Sequence, residues 1–425
     1  MTPTANHDRL ATLGAGLAVL FLFVSIAQIG RYNVTIGGVF CAITLIASIR
    51  ACSPSGAIVL SACGFVFWPI LVVLTAWYYD SALLPSIEQF LASGALWTVS
   101  VALILLATIS RRPIFLGNVF PIVLFLLALM ALQFIGAKFF HNHDLYVLVL
   151  KLAGVDIAKF YIKLDDMENA RAIGMYYEPS MCARVMGTLC FIDMLKTGKI
   201  LRNGVALLLC ALLTQSIGLL LLVIVLAYIL FGRSIRSLSR ITMVLLAVSI
   251  LVLPFVLQRF TNEKYSASSS SYTRTIAPIS VLAWVIDNYP LGVPIGSAEA
   301  LALKTGYLAE TGEAKVTNGI YEFLFYFGVL GLALVAIALS CVVKLVLVGE
   351  AEYAAALAYL ILSTGLSGSF LSLESTMLTY FFIVTARQAK FHRMAKRSRH
   401  VAAAYRKDGL HSPARWRGLQ TRPQI

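Results

Sequence analysis

Long apolar runs with almost no charge dominate the chain, and each is close to the roughly 20 residues a helix needs to cross a bilayer. The pattern predicts crossings near 10–29, 35–49, 57–78, 91–110, 114–136 and 181–195, a hairpin over 204–232, then 241–258, 319–343, 353–373 and 375–388. Polar stretches separate them at 137–180, 259–318 and 389–425. The runs are continuous and do not alternate, which excludes an outer-membrane barrel. The predicted fold is all-α, a polytopic integral membrane protein of about 12 transmembrane helices. It divides into a membrane domain over 1–388 and a basic tail over 389–425.

The segment 204–232 tests this scheme. As one helix it would run about 44 Å, too long for an untilted crossing, yet two full crossings need more residues. Its flanks, Lys196, Lys199 and Arg202 on one side and Arg233, Arg236 and Arg240 on the other, are both basic, so the chain crosses an even number of times between them. Two short helices meeting at Thr214-Gln215-Ser216-Ile217-Gly218 satisfy both demands. Polar backbone at that depth is tolerated only beside protein or water, so the break is expected to line an outward cavity.

Composition agrees: of 425 residues, 59% are hydrophobic and 13% charged, which excludes an ordinary soluble enzyme. The net charge of +14 would suggest nucleic acid if it were spread over the chain. It is not, because eleven basic residues from Arg387 onward face a single acid, Asp408. By the positive-inside rule the tail, both termini and the short basic turns are cytoplasmic, the tail lying near anionic headgroups. The loops 137–180 and 259–318 then face outward, and no nucleic-acid partner is expected. Seven cysteines, nearly all in apolar runs and with no CxxC spacing, read as packing residues. Within the loops, Leu145–Ile162 reads as a surface helix edged by Lys151, Lys159 and Lys163. Ile276–Ile286, with Trp284, reads as a re-entrant or interfacial helix.

Three polar constellations could carry chemistry. The first is Arg171-Ala-Ile-Gly-Met-Tyr-Tyr-Glu178-Pro179-Ser180, with Arg184 a turn further on. Pro179 suits a helix start, so Glu178 is either a capping carboxylate paired with Arg184 or a general base in a partly dry cavity. The second joins Arg259, Lys264 and Arg274 ahead of Pro290-Leu-Gly292-Val-Pro294-Ile-Gly296. Cations on an outward loop are either solubilising or ligands for a diphosphate, whose oxygens a guanidinium meets in pairs. The third is Asn318-Gly-Ile-Tyr321-Glu322 leading an aromatic run to Gly328 and Gly331, where Asn318 and Tyr321 stand at the mouth of a crossing and could meet a sugar.

These motifs occur in an order that resembles the Wzy-type exopolysaccharide and O-antigen polymerases within the O-antigen ligase and polymerase superfamily, over roughly residues 165–388. The resemblance implies a bacterial inner-membrane glycosyltransferase that polymerises undecaprenyl-diphosphate-linked oligosaccharide repeat units on the periplasmic face, in exopolysaccharide, capsule or O-antigen synthesis. No cofactor or metal is implied. A chain-length regulator and a flippase are the expected protein partners. Glu178, Arg274 and Arg171 take catalytic roles in this reading, and Arg184, Arg259, Asn318 and Tyr321 bind substrate. The chain departs from ligase-like members at Thr317, where they carry His, and at Ile217, where they carry Arg. The alternatives are a ligase with the same donor and a non-enzymatic flippase of lipid-linked sugars.

Overall fold

The computed structural model describes residues 14–22, 24–29, 32–49, 63–72 except 65 and 70, 83–111, 113–152, 171–231 except 177, 272–312, 316, and 318–407 except 368–370. The expected crossing at 241–258 and most of that at 57–78 lie outside these residues, as do Arg259, Lys264, Lys159 and Lys163. The described chain is overwhelmingly helical. Among the described residues three helices are long and apolar enough to cross a membrane: α3 (Ile87–Ile109), α4 (Phe120–Phe140) and α12 (Gly319–Val348). Shorter apolar helices are α2 (Ile36–Ile49), α7 (Ile200–Thr214), α8 (Ile217–Phe231) and α13 (Ala351–Ser367).

The first predicted crossing, 10–29, is not one helix. Helix α1 covers 14–20, after which strand β1 (Ser25–Ile29) pairs antiparallel with β2 (Tyr32–Thr35). Ser25 and Gln28 interrupt the apolar run, and Ile26, Ile29, Val34 and Thr35 are β-branched residues that suit a strand. Among the described residues this short hairpin is a local exception within an otherwise all-α fold. The crossing expected at 114–136 begins later, because Pro121 sits in the first turn of α4 and the Asn118 side chain accepts the Phe120 amide at 3.3 Å. The last crossing, expected to end at 388, is a single helix α14 (Leu373–Lys407). No glycine or proline interrupts it, and beyond the apolar part Lys390 pairs with Glu350 at 2.5 Å and Arg393 with Glu352 at 2.7 Å.

Helix α6 (Pro179–Thr197) is the centre of the bundle. Every residue from Cys182 to Met194 is buried, and α4, α7, α8, α13 and α14 all pack against it. Its small residues permit this: a Cβ on Gly187 would stand 2.9 Å from a Leu219 methyl. At its far end Asp193 accepts from Arg202 and, at 2.6 Å, from Asn203, so the buried carboxylate is neutralised where α6 turns into α7.

The second long loop builds a core of its own. Helix α9 (Ala277–Asn288), preceded by a π-helical turn at Tyr272–Ile276, buries Val281 and Val285 with Val293, Ile295, Leu301 of α10 (Ala298–Lys304) and Tyr307 of α11 (Tyr307–Thr311) against Trp97 of α3 and Phe323, Phe325, Tyr326 and Phe327 of α12. In the first loop α5 (Asp144–Leu152) buries Tyr146, Val149 and Leu150 against Ala137 and Ile173 while Leu145, Leu148 and Leu152 stay exposed. One face of this segment is therefore held by protein, and burial pushes the Tyr146 phenol up to about 12.

Candidate active site at the start of helix α6

The motif that begins at Arg171 is folded down into the bundle. Gln133, buried midway along α4, accepts the amides of Ile173 and Gly174 at 3.1 and 2.8 Å and donates to the Gly174 carbonyl at 2.9 Å. Gly174 takes a φ of +59°, and a Cβ there would stand 2.8 Å from the Cys182 sulfur. Tyr176 reaches the Val19 carbonyl at 3.2 Å. Sequence reasoning missed Gln133. Its signal is a lone amide within an apolar helix, which has to be satisfied by something.

Helices α7 and α8 meet at Gln215-Ser216, as the flanking charges required. Gln215 adopts a left-handed φ of 49°, which leaves carbonyls at the end of α7 facing outward from the helix. The motif supplies their donors: the Ala172 amide meets Leu213 at 2.9 Å, and the Arg171 guanidinium meets Thr214 at 2.9 Å and Gln215 at 3.4 Å. A cation at a helix C-terminus is also favoured by the dipole. Arg171 thus binds the hairpin to the segment leading into Glu178.

Glu178 is the N-cap residue of α6, with extended backbone and Pro179 following. Its carboxylate does not cap the helix amides and is not paired with Arg184. Its Oε2 instead accepts from the Ser180 hydroxyl at 3.0 Å and from Nη2 of Arg274, 96 positions away, at 3.1 Å. The pair is reachable, with side-chain exposures of 21% for Arg274 and 38% for Glu178. Arg274 is carried by the π-helical turn, and its backbone is fixed by Asn318, whose Nδ2 donates to the Arg274 carbonyl at 2.9 Å. The other end of the Asn318 side chain caps α12 by accepting the Ile320 amide at 3.0 Å. Asn318 is buried, so it holds Arg274 in place and does not present a side chain to solvent. Nearby, Tyr307 fixes the Thr273 carbonyl at 2.7 Å, and the bond from Tyr272 to Glu310 raises the Tyr272 phenol above its usual range.

Arg184, one turn beyond Ser180 along α6, has other partners. It is buried, donates to the Ser363 carbonyl of α13 at 3.2 Å, and lines a cavity with Ser180, Ser216, Gly218, Leu219, Leu222 and Leu362. The break between α7 and α8 therefore does line a cavity, and Ser180 borders both it and the Glu178–Arg274 pair. Tyr321 lies in the first turn of α12 with its ring against Phe325, at 6.3 Å between centroids.

The last motif explains two glycines. Helix α12 breaks at Gly328, where φ is 54° and ψ is −133°. The Pro290 carbonyl accepts the Val329 amide at 2.9 Å, and the Val293 amide donates to the Phe325 carbonyl at 2.7 Å. A Cβ on Gly292 would stand 2.3 Å from the Tyr326 carbonyl oxygen, so the Pro-Leu-Gly turn fits the break only with glycine there.

The fold and the site together define a multi-helix membrane protein in which an acid and a cation from distant segments meet at the ends of two helices. The chain belongs to the WcaD colanic acid polymerase family, whose pattern it matches over residues 10–388. Among curated proteins none matches it.

Proposed function

We propose that the protein polymerises undecaprenyl-diphosphate-linked oligosaccharide repeat units at the periplasmic face of the bacterial inner membrane, with both termini in the cytoplasm. Membership of a polysaccharide polymerase family supports the reaction class. The observation that carries the site is the meeting of Glu178 and Arg274 at 3.1 Å in a position open to a ligand. The acceptor hydroxyl of an incoming unit attacks the anomeric carbon of the growing chain. The bond from that carbon to the diphosphate oxygen breaks, and the electron pair leaves with undecaprenyl diphosphate. The hydroxyl proton passes to Glu178 and from there to water.

Arg274 meets the charge that develops on the leaving diphosphate, and no metal is required in this scheme. Arg184, in its cavity beside Ser180, and Arg259 are the further cations available to the lipid-linked substrate, with Tyr321 at the mouth of α12 for a sugar. Asn318 and Arg171 contribute by holding Arg274 and the hairpin. A polyprenyl diphosphate is already a good leaving group, so positioning and electrostatics supply most of the rate.

The test is polymer formation in cells carrying Arg274→Lys and Arg274→Ala at wild-type abundance. A charge-assisted contact contributes about 1.5–3 kcal/mol, roughly ten- to more than a hundredfold, so alanine should nearly abolish polymer and lysine, which loses the paired geometry, should impair it. Single lipid-linked repeats should accumulate on the periplasmic leaflet. Normal polymer from Arg274→Ala removes the assignment, and single repeats held on the cytoplasmic leaflet point to a flippase.

A further inference from the structure

In the proposed reaction Arg274 has two anionic partners, the Glu178 carboxylate and the donor's diphosphate. The guanidinium contacts Glu178 through a single nitrogen at 3.1 Å, longer than the 2.7–2.9 Å typical of a charge-assisted bond. Both partners of the carboxylate, Arg274 and Ser180, meet the same oxygen, Oε2, which leaves Oε1 outside this pairing among the described residues. Such a half-exposed, single-contact pair is weak. A diphosphate offers a guanidinium two oxygens at once and more charge, so it is the stronger competitor. The backbone on either side of the Arg274 side chain is pinned by Tyr307 at Thr273 and by Asn318 at Arg274 itself. Exchange of partner therefore needs only a side-chain rotation.

We propose that the donor's diphosphate draws Arg274 away from Glu178, so that seating the donor is the event that releases the Glu178 carboxylate to the acceptor. This deepens the reading above and rests on it. When the guanidinium moves to the phosphates, Oε2 loses its cationic partner and the carboxylate is free to accept a hydrogen bond from the acceptor hydroxyl. Ser180 remains on Oε2 and keeps the carboxylate oriented, with Oε1 turned to the acceptor. The acceptor hydroxyl is then activated only on a protein that already holds a donor.

The inference makes a sign prediction that a structural role for the pair does not. Full-length protein in nanodiscs of neutral phosphatidylcholine is titrated with radiolabelled undecaprenyl diphosphate bearing no sugar. Glu178→Gln removes the competitor and should bind about two- to fivefold tighter than wild type, the strength of a half-exposed pair. Glu178→Ala should shift affinity in the same direction, which covers the case that one variant folds poorly. Arg274→Ala should bind about tenfold or more weakly, and the double variant Glu178→Gln/Arg274→Ala should match Arg274→Ala. If Glu178→Gln binds like wild type or more weakly while Arg274→Ala binds weakly, the exchange is overturned and the diphosphate role of Arg274 stands. If the tightening persists in the Arg274→Ala background, removal of bulk negative charge explains it and the exchange is again overturned. If Arg274→Ala binds as tightly as wild type, the underlying reading of Arg274 is the one that fails.

Discussion

Val329 gives its amide to the carbonyl of Pro290, 2.9 Å away, and not to Phe325 four residues behind it in the same helix. The Phe325 carbonyl is met in turn by the Val293 amide at 2.7 Å. One helical bond is thus replaced by two bonds to the preceding loop, so neither the Val329 amide nor the Phe325 carbonyl is left unsatisfied at the break in α12. The clasp fixes the loop that carries Arg274 to the helix that begins at Asn318.

Gly328→Ala should break this clasp. A Cβ at Gly328 would stand 2.1 Å from the Pro290 carbonyl oxygen and 2.7 Å from the Gly292 nitrogen, both backbone atoms. The backbone strain alone is about 1–3 kcal/mol, to which the clash adds. Membrane abundance and thermal stability should fall together, and polymer with them. Gly331→Ala, whose Cβ would meet Phe327 Cβ at 3.0 Å, should be milder. A wild-type melting temperature for Gly328→Ala contradicts the clasp.

Gln133→Leu should destabilise the protein, because it strands two buried amides and a carbonyl at Ile173 and Gly174. Each stranded group costs about 1–3 kcal/mol. Gln133→Glu still accepts from both amides and, when protonated, can donate to Gly174, so its loss should be smaller. Thermal unfolding in detergent ranks the three proteins, and a leucine variant as stable as wild type would mean that this network holds nothing.

Arg171 separates positioning from direct contact. Arg171→Ala leaves the Thr214 and Gln215 carbonyls without its guanidinium, and each such charge-assisted bond contributes about 1.5–3 kcal/mol. The expected result is less protein, with polymer per folded molecule largely kept and undecaprenyl diphosphate affinity unchanged. Weakened binding at normal abundance would instead give Arg171 a place on the substrate.

Truncation of α14 after Met394 should leave most polymer. It retains Arg387 on the Ser110 carbonyl at 2.9 Å, Lys390 on Glu350 and Arg393 on Glu352. Truncation after Ala386 removes all three and leaves the buried Glu352 without Arg393, so protein level should drop. Western blots of membranes from the two strains distinguish the outcomes, and equal loss from both would assign the distal basic residues a role in assembly.

Much of the fold is legible in the chain because apolar runs report bilayer crossings directly. The break at Gln215-Ser216 follows from basic residues on both flanks, and the structure has two helices meeting there. The β1–β2 hairpin was hidden because β1 sits at the end of a run apolar enough to read as one crossing, and β2 is only four residues long. The extension of α14 was hidden because charged residues end a crossing without ending a helix. At the site, the residue types around Glu178 were readable and their pairing was not. Proximity along α6 favoured Arg184 as its partner, whereas the partner in space is Arg274, delivered by a loop whose course depends on Asn318, Tyr307 and the Gly328 break. Contacts between segments so far apart follow from tertiary packing, which no local pattern encodes.

Helix α6 is enclosed by five others and carries Arg184 and Asp193 among its buried residues, so lipid never sets its composition. That matters while the chain is being made. A segment carrying an arginine and an aspartate between its ends enters the bilayer poorly by itself, each charge costing up to about 2.5–3.5 kcal/mol, the value at a helix centre. The acid's ion-pair partner Arg202 and its amide donor Asn203 are both synthesised after it, and Arg184 meets the Ser363 carbonyl only when α13 has emerged. Biogenesis of this protein therefore has to be cooperative, with α6 held at the insertion machinery until the α7–α8 hairpin, and later α13, can shelter it.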